Sequence, residues 1–187
     1  MRTEAAICLI VLGFGAGARA MAAGRPHLVS EIGHWMVLRD GRGRHEVCYA
    51  ATYPVWGPMK GRSGRRLVLI VAEHRGHAAE TAIDGLAAAP ADPAVRIGPR
   101  RVRFRTRGAI AFAPAARPVI HDLKAYKRVY LGVDTGRHGV ATTAFSLDGF
   151  TKAHALSRKI CAIAWTGRPL RGDADSTETG RHHASTN

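Results

Sequence analysis

The sequence predicts a mainly β domain, an antiparallel β-sandwich or barrel of about seven to nine strands with one short helix and a C-terminal helix. Three observations predict it. β-branched and aromatic residues cluster in short runs, some continuous and some alternating with polar residues, as strands require. Glycine-rich punctuation separates those runs at residues 39–44, 98–99 and 135–139. Helical spacing of apolar residues occurs in just two places, at Val119, Ile120, Leu123 and Tyr126 and at Phe150, Ala153, Leu156 and Ile160. The chain has 187 residues, enough for one domain with a real core.

Residues 1–20 have the three parts of a secretory signal peptide: Arg2, an apolar run over 5–14, and small residues ending in Ala18-Arg19-Ala20. A second A-x-A, Ala20-Met21-Ala22, offers an alternative cut. The apolar run is shorter than the roughly 18 residues a membrane span needs, so no transmembrane segment is expected after cleavage. Residues 21–31 are expected to be a disordered lead-in, 32–164 the β domain, and 165–187 a polar tail with too few apolar residues to order itself.

Within the domain, residues 35–38 and 46–50 flank a Gly-rich loop and read as a hairpin, with Cys48 inside a strand. Residues 52–66 hold Pro54, Gly57, Pro58, Gly61 and Gly64 and read as a loop ending in a basic run. The continuous apolar run at 66–72 is the best candidate for a buried strand. Residues 78–94 are alanine-rich, but Gly85, Pro90 and Pro93 interrupt any helix, leaving one short strand and a loop. Residues 95–97 and 102–106 alternate apolar and basic side chains around Gly98-Pro99, a half-buried hairpin, and 109–112 add a strand. A short helix follows at 118–127, then a hairpin formed by 128–134 and 139–145. The last element is a helix over 149–163, basic on its outer side through Lys152, Arg158 and Lys159, with Ser146 or Asp148 placed to cap it.

Cys8 leaves with the leader, so an exported chain keeps Cys48 and Cys161, and a single disulfide between them is the economical reading in an oxidising compartment; two buried free thiols are the alternative. The chain carries 28 Lys and Arg against 14 Asp and Glu, a formal net charge of +14, to which the leader contributes little. Such an excess favours anionic partners by long-range attraction; the alternative is a basic surface that is merely solvated.

Gly33-His34-Trp35, Val47-Cys48-Tyr49-Ala50, Arg101-Val102-Arg103-Phe104, Gly139-Val140-Ala141-Thr142-Thr143, the stretch S-L-D-G-F-T-K-A from Ser146, and Cys161, in that order and spacing, resemble the invasion-associated locus B family of alphaproteobacterial periplasmic proteins. The resemblance covers residues 32–162. It implies a mostly β domain, export to the periplasm or beyond and, for the founding member, a part in host-cell entry, and it brings no catalytic residue with it. The basic segment 60–66, the Ala/Pro run 87–94 and the polar tail depart from the family pattern.

No catalytic site, cofactor or metal is expected. His74 and His77 flank Gly76 in a turn, which does not aim both at one ion, and no G-x-S-x-G elbow or P-loop occurs. Arg171-Gly172-Asp173 matches an integrin-binding tripeptide at a length where chance matches are common. The better candidate is the basic hairpin with Arg96 and Arg100, in which Arg101, Arg103 and Arg105 alternate and are expected on one strand face, a stripe for phosphates or carboxylates without interleaved aromatics for base stacking. The expected function is that of an exported, non-catalytic envelope or interaction protein docking to anionic envelope polymers or a host surface. An enzyme with a site assembled from scattered residues is the alternative. Specific nucleic-acid binding is not expected, for want of a recognition motif and of the right compartment.

Overall fold

The run expected to be a buried strand lies in the middle of a sheet. The computed structural model describes residues 26–41, 45–61, 64–74, 77–86, 92–134 and 139–166. Among them twelve strands and two helices follow in order: β1 His27–Ile32, β2 Trp35–Asp40, β3 Val47–Thr52, β4 Pro54–Trp56, β5 Val68–His74, β6 Glu80–Asp84, β7 Ala94–Ile97, β8 Arg100–Arg103, β9 Arg105–Arg107, β10 Ile110–Phe112, α1 Ala116–Ala125, β11 Arg128–Asp134, β12 Val140–Ser146 and α2 Phe150–Thr166. They form a seven-stranded sheet in the order β1-β2-β3-β5-β6-β10-β9 and a five-stranded sheet in the order β4-β12-β11-β7-β8. All pairings are antiparallel. The sheets do not close into a barrel, so of the two expected architectures the chain adopts the sandwich.

Cross-strand register decides which side chains meet inside. Trp35↔Thr52, Val37↔Ala50 and Ala50↔Val71 put Trp35, Val37, Ala50, Leu69, Val71 and Ile83 on one face of the larger sheet. That face shares a core with Val95, Ile97, Val129, Leu131 and Phe145 of the smaller sheet and with Phe150 and Ala153 of α2. Each large apolar side chain buried there contributes about 1.5–3 kcal/mol. The part of the large sheet at β2, β3 and β5 is covered by α2, so the second layer is a sheet extended by a helix.

The two outward sheet faces differ in chemistry. On the larger sheet, Met36, Leu38, Tyr49 and Ile70 stand half-buried among Ala51, Ala72 and Ala82. On the smaller one, Arg96, Arg101 and Thr142 are exposed.

Several boundaries differ from expectation. Residues 27–31, expected in the disordered lead-in, form most of β1, which is ordered by pairing along β2 and not by burial, since four of its six residues are exposed. The stretch 52–66 is not all loop. Pro54–Trp56 pair with β12, the Leu67 N–H donates to the Met59 carbonyl at 2.9 Å, Lys60 and Arg66 form a bridge, and Arg65 reaches Asp84 at 3.1 Å. The helix expected at 118–127 starts at Ala116, which leaves Pro118 in the first turn, where a missing N–H costs nothing. It stops at Tyr126, whose backbone is extended. Short strands such as β4 and β9 raise the strand number above the expected seven to nine. Helix α2 runs on to Thr166, taking the first two residues assigned to the tail. The leader, the Arg171-Gly172-Asp173 tripeptide and the rest of the tail lie outside the described residues.

Candidate anion-binding surface

β7 and β8 form a hairpin whose two-residue connection begins with Gly98 at φ 55°, the first central position, where positive φ suits glycine. A Cβ there would also strike the Tyr126 ring, so the turn is fixed by conformation and by packing. Beyond it, Arg100 Nη1 donates to Asp122 Oδ2 of α1 at 3.1 Å, and the carboxylate is largely buried, which ties the hairpin to the helix. Val102 is buried while Arg101 and Arg103 on either side are exposed, the period-two pattern of a half-buried strand.

The three arginines of the expected stripe do not share one strand. Phe104 is fully buried on the same side as Val102, and its N–H donates to the Pro93 carbonyl at 2.9 Å, which extends the β7–β8 ladder by one step; directly after it the chain leaves the small sheet. Arg105 then opens β9 in the large sheet, paired with Phe112. This corrects the expectation of a single face. The bend nonetheless brings the three together: Arg101, Arg103 and Arg105, with Arg100, Asp92 and Pro114, line one open depression of about 550 Å³. Asp92 accepts from the Thr106 N–H at 2.8 Å. Among the described residues, Arg101, Arg103 and Arg105 form no ion pair, and with Arg100 they outnumber the one carboxylate of the depression, Asp92.

Phe104, the aromatic between Arg103 and Arg105 in sequence, is buried, but another strand places a ring beside the hairpin's cations. The Arg96 guanidinium lies 4.3 Å from the centroid of the Tyr130 ring, supplied by β11, within cation–π range. Neither spacing nor composition signals such a neighbour; strand order does.

A second cluster lies inside. Cys48 and Cys161 form the expected disulfide, with sulfurs 2.00 Å apart. Beside it, His154 Nε2 is 2.9 Å from Glu73 Oε1, and Ser157, one helical turn further along α2, is fully buried. His154 is 4 % exposed, and its ring N–H is not aligned for a linear hydrogen bond. A histidine, a carboxylate and a hydroxyl are the components of nucleophilic catalysis, but here all are buried or nearly so, the Ser157 hydroxyl has no hydrogen-bond partner among the described residues, and the Phe150 ring lies tilted 5.5 Å from the imidazole. His74, for its part, lies 3.4 Å from Glu80, and among the described residues no three His, Cys, Asp or Glu converge on a metal position.

The fold and the disulfide define a class: a disulfide-bridged, two-sheet β-sandwich with a helix closing one end. A solved structure with a similar fold is invasion associated protein B from Bartonella henselae, which superposes with a TM-score of 0.50 at 14% identity, over 71% of this chain and 97% of that one. The family resemblance seen in the sequence is thus matched at the level of fold. No protein-family model matches the sequence, and no curated protein does.

Proposed function

We propose that this chain is a non-catalytic, extracytoplasmic binding protein that docks on anionic envelope polymers or an anionic host surface. The observation that carries the proposal is the depression bordered by Arg101, Arg103 and Arg105, three exposed guanidinium groups that form no ion pair among the described residues, on a chain of net charge +14. A disulfide between Cys48 and Cys161 supports an oxidising compartment, and thus partners such as lipopolysaccharide and acidic glycans over nucleic acid. The structural neighbour's description as invasion associated accords with a role at the cell surface. Among the described residues no helix is long and apolar enough to cross a membrane.

The test is binding of the domain to lipopolysaccharide and to heparin across a salt series, with Arg101, Arg103 and Arg105 changed together to Ser. Affinity is expected to fall steeply with salt, and the log–log slope to become shallower by about one for each contact removed. Salt-insensitive binding, or none at low salt, overturns the proposal.

A further inference from the structure

The register of the small sheet aligns five residues that are far apart in sequence. Trp56 pairs with Ala144, Ala144 with Tyr130, Tyr130 with Arg96, and Arg96 with Arg101. Directly paired residues share a face, so Ala144, Tyr130, Arg96 and Arg101 form one row on the outward side of the small sheet; at its β4 end a bulge between the Ala144 and Phe145 pairings leaves Trp56 exposed beside Ala144, and the whole spans about 19 Å at the usual strand spacing. Trp56 at one end is 61 % exposed, Arg96 and Arg101 at the other are exposed, and Tyr130 stands half-buried between them. Ala144 leaves no ridge between the two rings.

The surface is held rigidly. The Thr143 hydroxyl is shared between the carbonyls of Trp56 and Pro58, at 2.9 and 2.8 Å, and fixes the backbone under the indole. Gly57 has φ 79° and packs so closely on the Thr142 carbonyl that no side chain fits. Alongside the row runs a groove of about 340 Å³, lined by Arg96, Arg101, Tyr130, Gly132, Val140 and Thr142. Gly132 keeps its floor open, and a Cβ there would meet Val140 Cγ1 at 3.3 Å.

We infer that this face is a binding platform for an acidic glycan, with a sugar ring on Trp56 and its carboxylate or phosphate groups on Arg96 and Arg101. The inference rests on the proposed anion docking and names its ligand class. A pyranose has an apolar C–H face that suits the electron-rich face of an indole, hydroxyl groups that suit Thr142, and, in acidic glycans, charges at regular intervals. The alternation of ring, small residue, ring and cation has that pattern. A membrane surface calls for a contiguous apolar patch, which the arginines interrupt. Single-stranded nucleic acid calls for successive open rings, whereas Arg96 lies over Tyr130 and leaves Trp56 as the open ring of the row.

The probes are an oligogalacturonate hexamer, inorganic polyphosphate of matched charge and oligo-deoxythymidine of matched charge. The hexamer is expected to change the emission of Trp56, and Trp56→Ala to weaken hexamer binding about tenfold, a typical loss for an aromatic stacking contact. Gly132→Ala, whose Cβ among the described residues meets the exposed Val140, should leave thermal stability unchanged and weaken the hexamer also. Polyphosphate, having no ring to stack, should respond to the triple arginine variant and not to Trp56→Ala. If hexamer affinity is indifferent to Trp56→Ala and Gly132→Ala while polyphosphate remains salt-dependent, the glycan platform falls and anion docking stands. If the thymidine oligomer binds more tightly than the hexamer, the platform is one for nucleic acid. Absence of binding to all three at low salt overturns both readings.

Discussion

The Trp35 indole N–H donates to the Ser146 carbonyl at 3.0 Å across 111 residues of sequence. The same indole lies 4.7 Å from the Phe150 ring, and the His34 N–H donates to the Asp148 carbonyl at 3.3 Å. Two fragments that carry the family resemblance in the sequence, Gly33-His34-Trp35 and the stretch from Ser146, are therefore one structural unit, the joint between the first hairpin and the start of α2. The indole is fully buried with its donor satisfied, as such a group must be inside a core.

Gly149 is the residue least replaceable in that joint. Its φ is 88°, and a Cβ would strike the Ile32 carbonyl. Gly149→Ala is expected to destabilise the domain by about 2 kcal/mol or more, strain and clash acting together, measured by urea denaturation. A loss below about 0.5 kcal/mol, the scale of a neutral surface change, would mean that the joint is not tight.

Reduction tests the bridge. Cys48 and Cys161 are 113 residues apart, and the chain-entropy account gives about 4–5 kcal/mol for closing a loop of that size, an upper value. Cys161→Ala should lower the denaturation midpoint by most of what a reductant does to the parent, and the reductant should then have no further effect. A reductant effect that persists in Cys161→Ala would place the sensitivity elsewhere.

Much of this was legible in the sequence because it is local. Runs at Val47–Thr52 and Val68–His74 alternate or stay apolar as strands do, and Phe150, Ala153 and Cys161 keep helical spacing, so elements and the disulfide pair could be placed. The β1 strand was missed because its order comes from a partner strand, with four of six residues exposed. The bend at Phe104 was missed because alternation continues unbroken through it: Val102 and Phe104 are both buried, although the chain changes sheets. The row from Trp56 to Arg101 depends on strand order, which no spacing encodes.

The buried pair of Glu73 and His154 permits a double-mutant cycle. Removing one partner leaves the other's polar group in a largely dry environment, so Glu73→Leu or His154→Phe alone should cost about 1–3 kcal/mol. The double variant should recover much of that loss, giving a coupling energy of at least about 1 kcal/mol by chemical denaturation. Because the pair is largely buried, a refolded double variant should also keep its affinity for heparin. Lost affinity with intact folding would assign the pair a functional role and revive the enzyme reading.

Tyr49 makes stability depend on alkaline pH. Burial, aided by the charge of Asp40, raises its phenol from 10.0 to about 12, because the fold disfavours the phenolate. A group whose folded pKa lies above its unfolded value contributes stability that is fully present below the unfolded value, here about pH 10. As the pH rises from about 10 towards 12 the unfolded chain releases the proton first, so it binds fewer protons than the fold and stability falls. Thermal melts of the parent should thus decline across that window, and Tyr49→Phe should decline less. Absorbance titration of the tyrosines should show one phenol ionising late in the parent and missing from the variant. Parallel declines in the two proteins would assign the alkaline loss to the lysines and the other tyrosines, and would leave Tyr49 without a part in it.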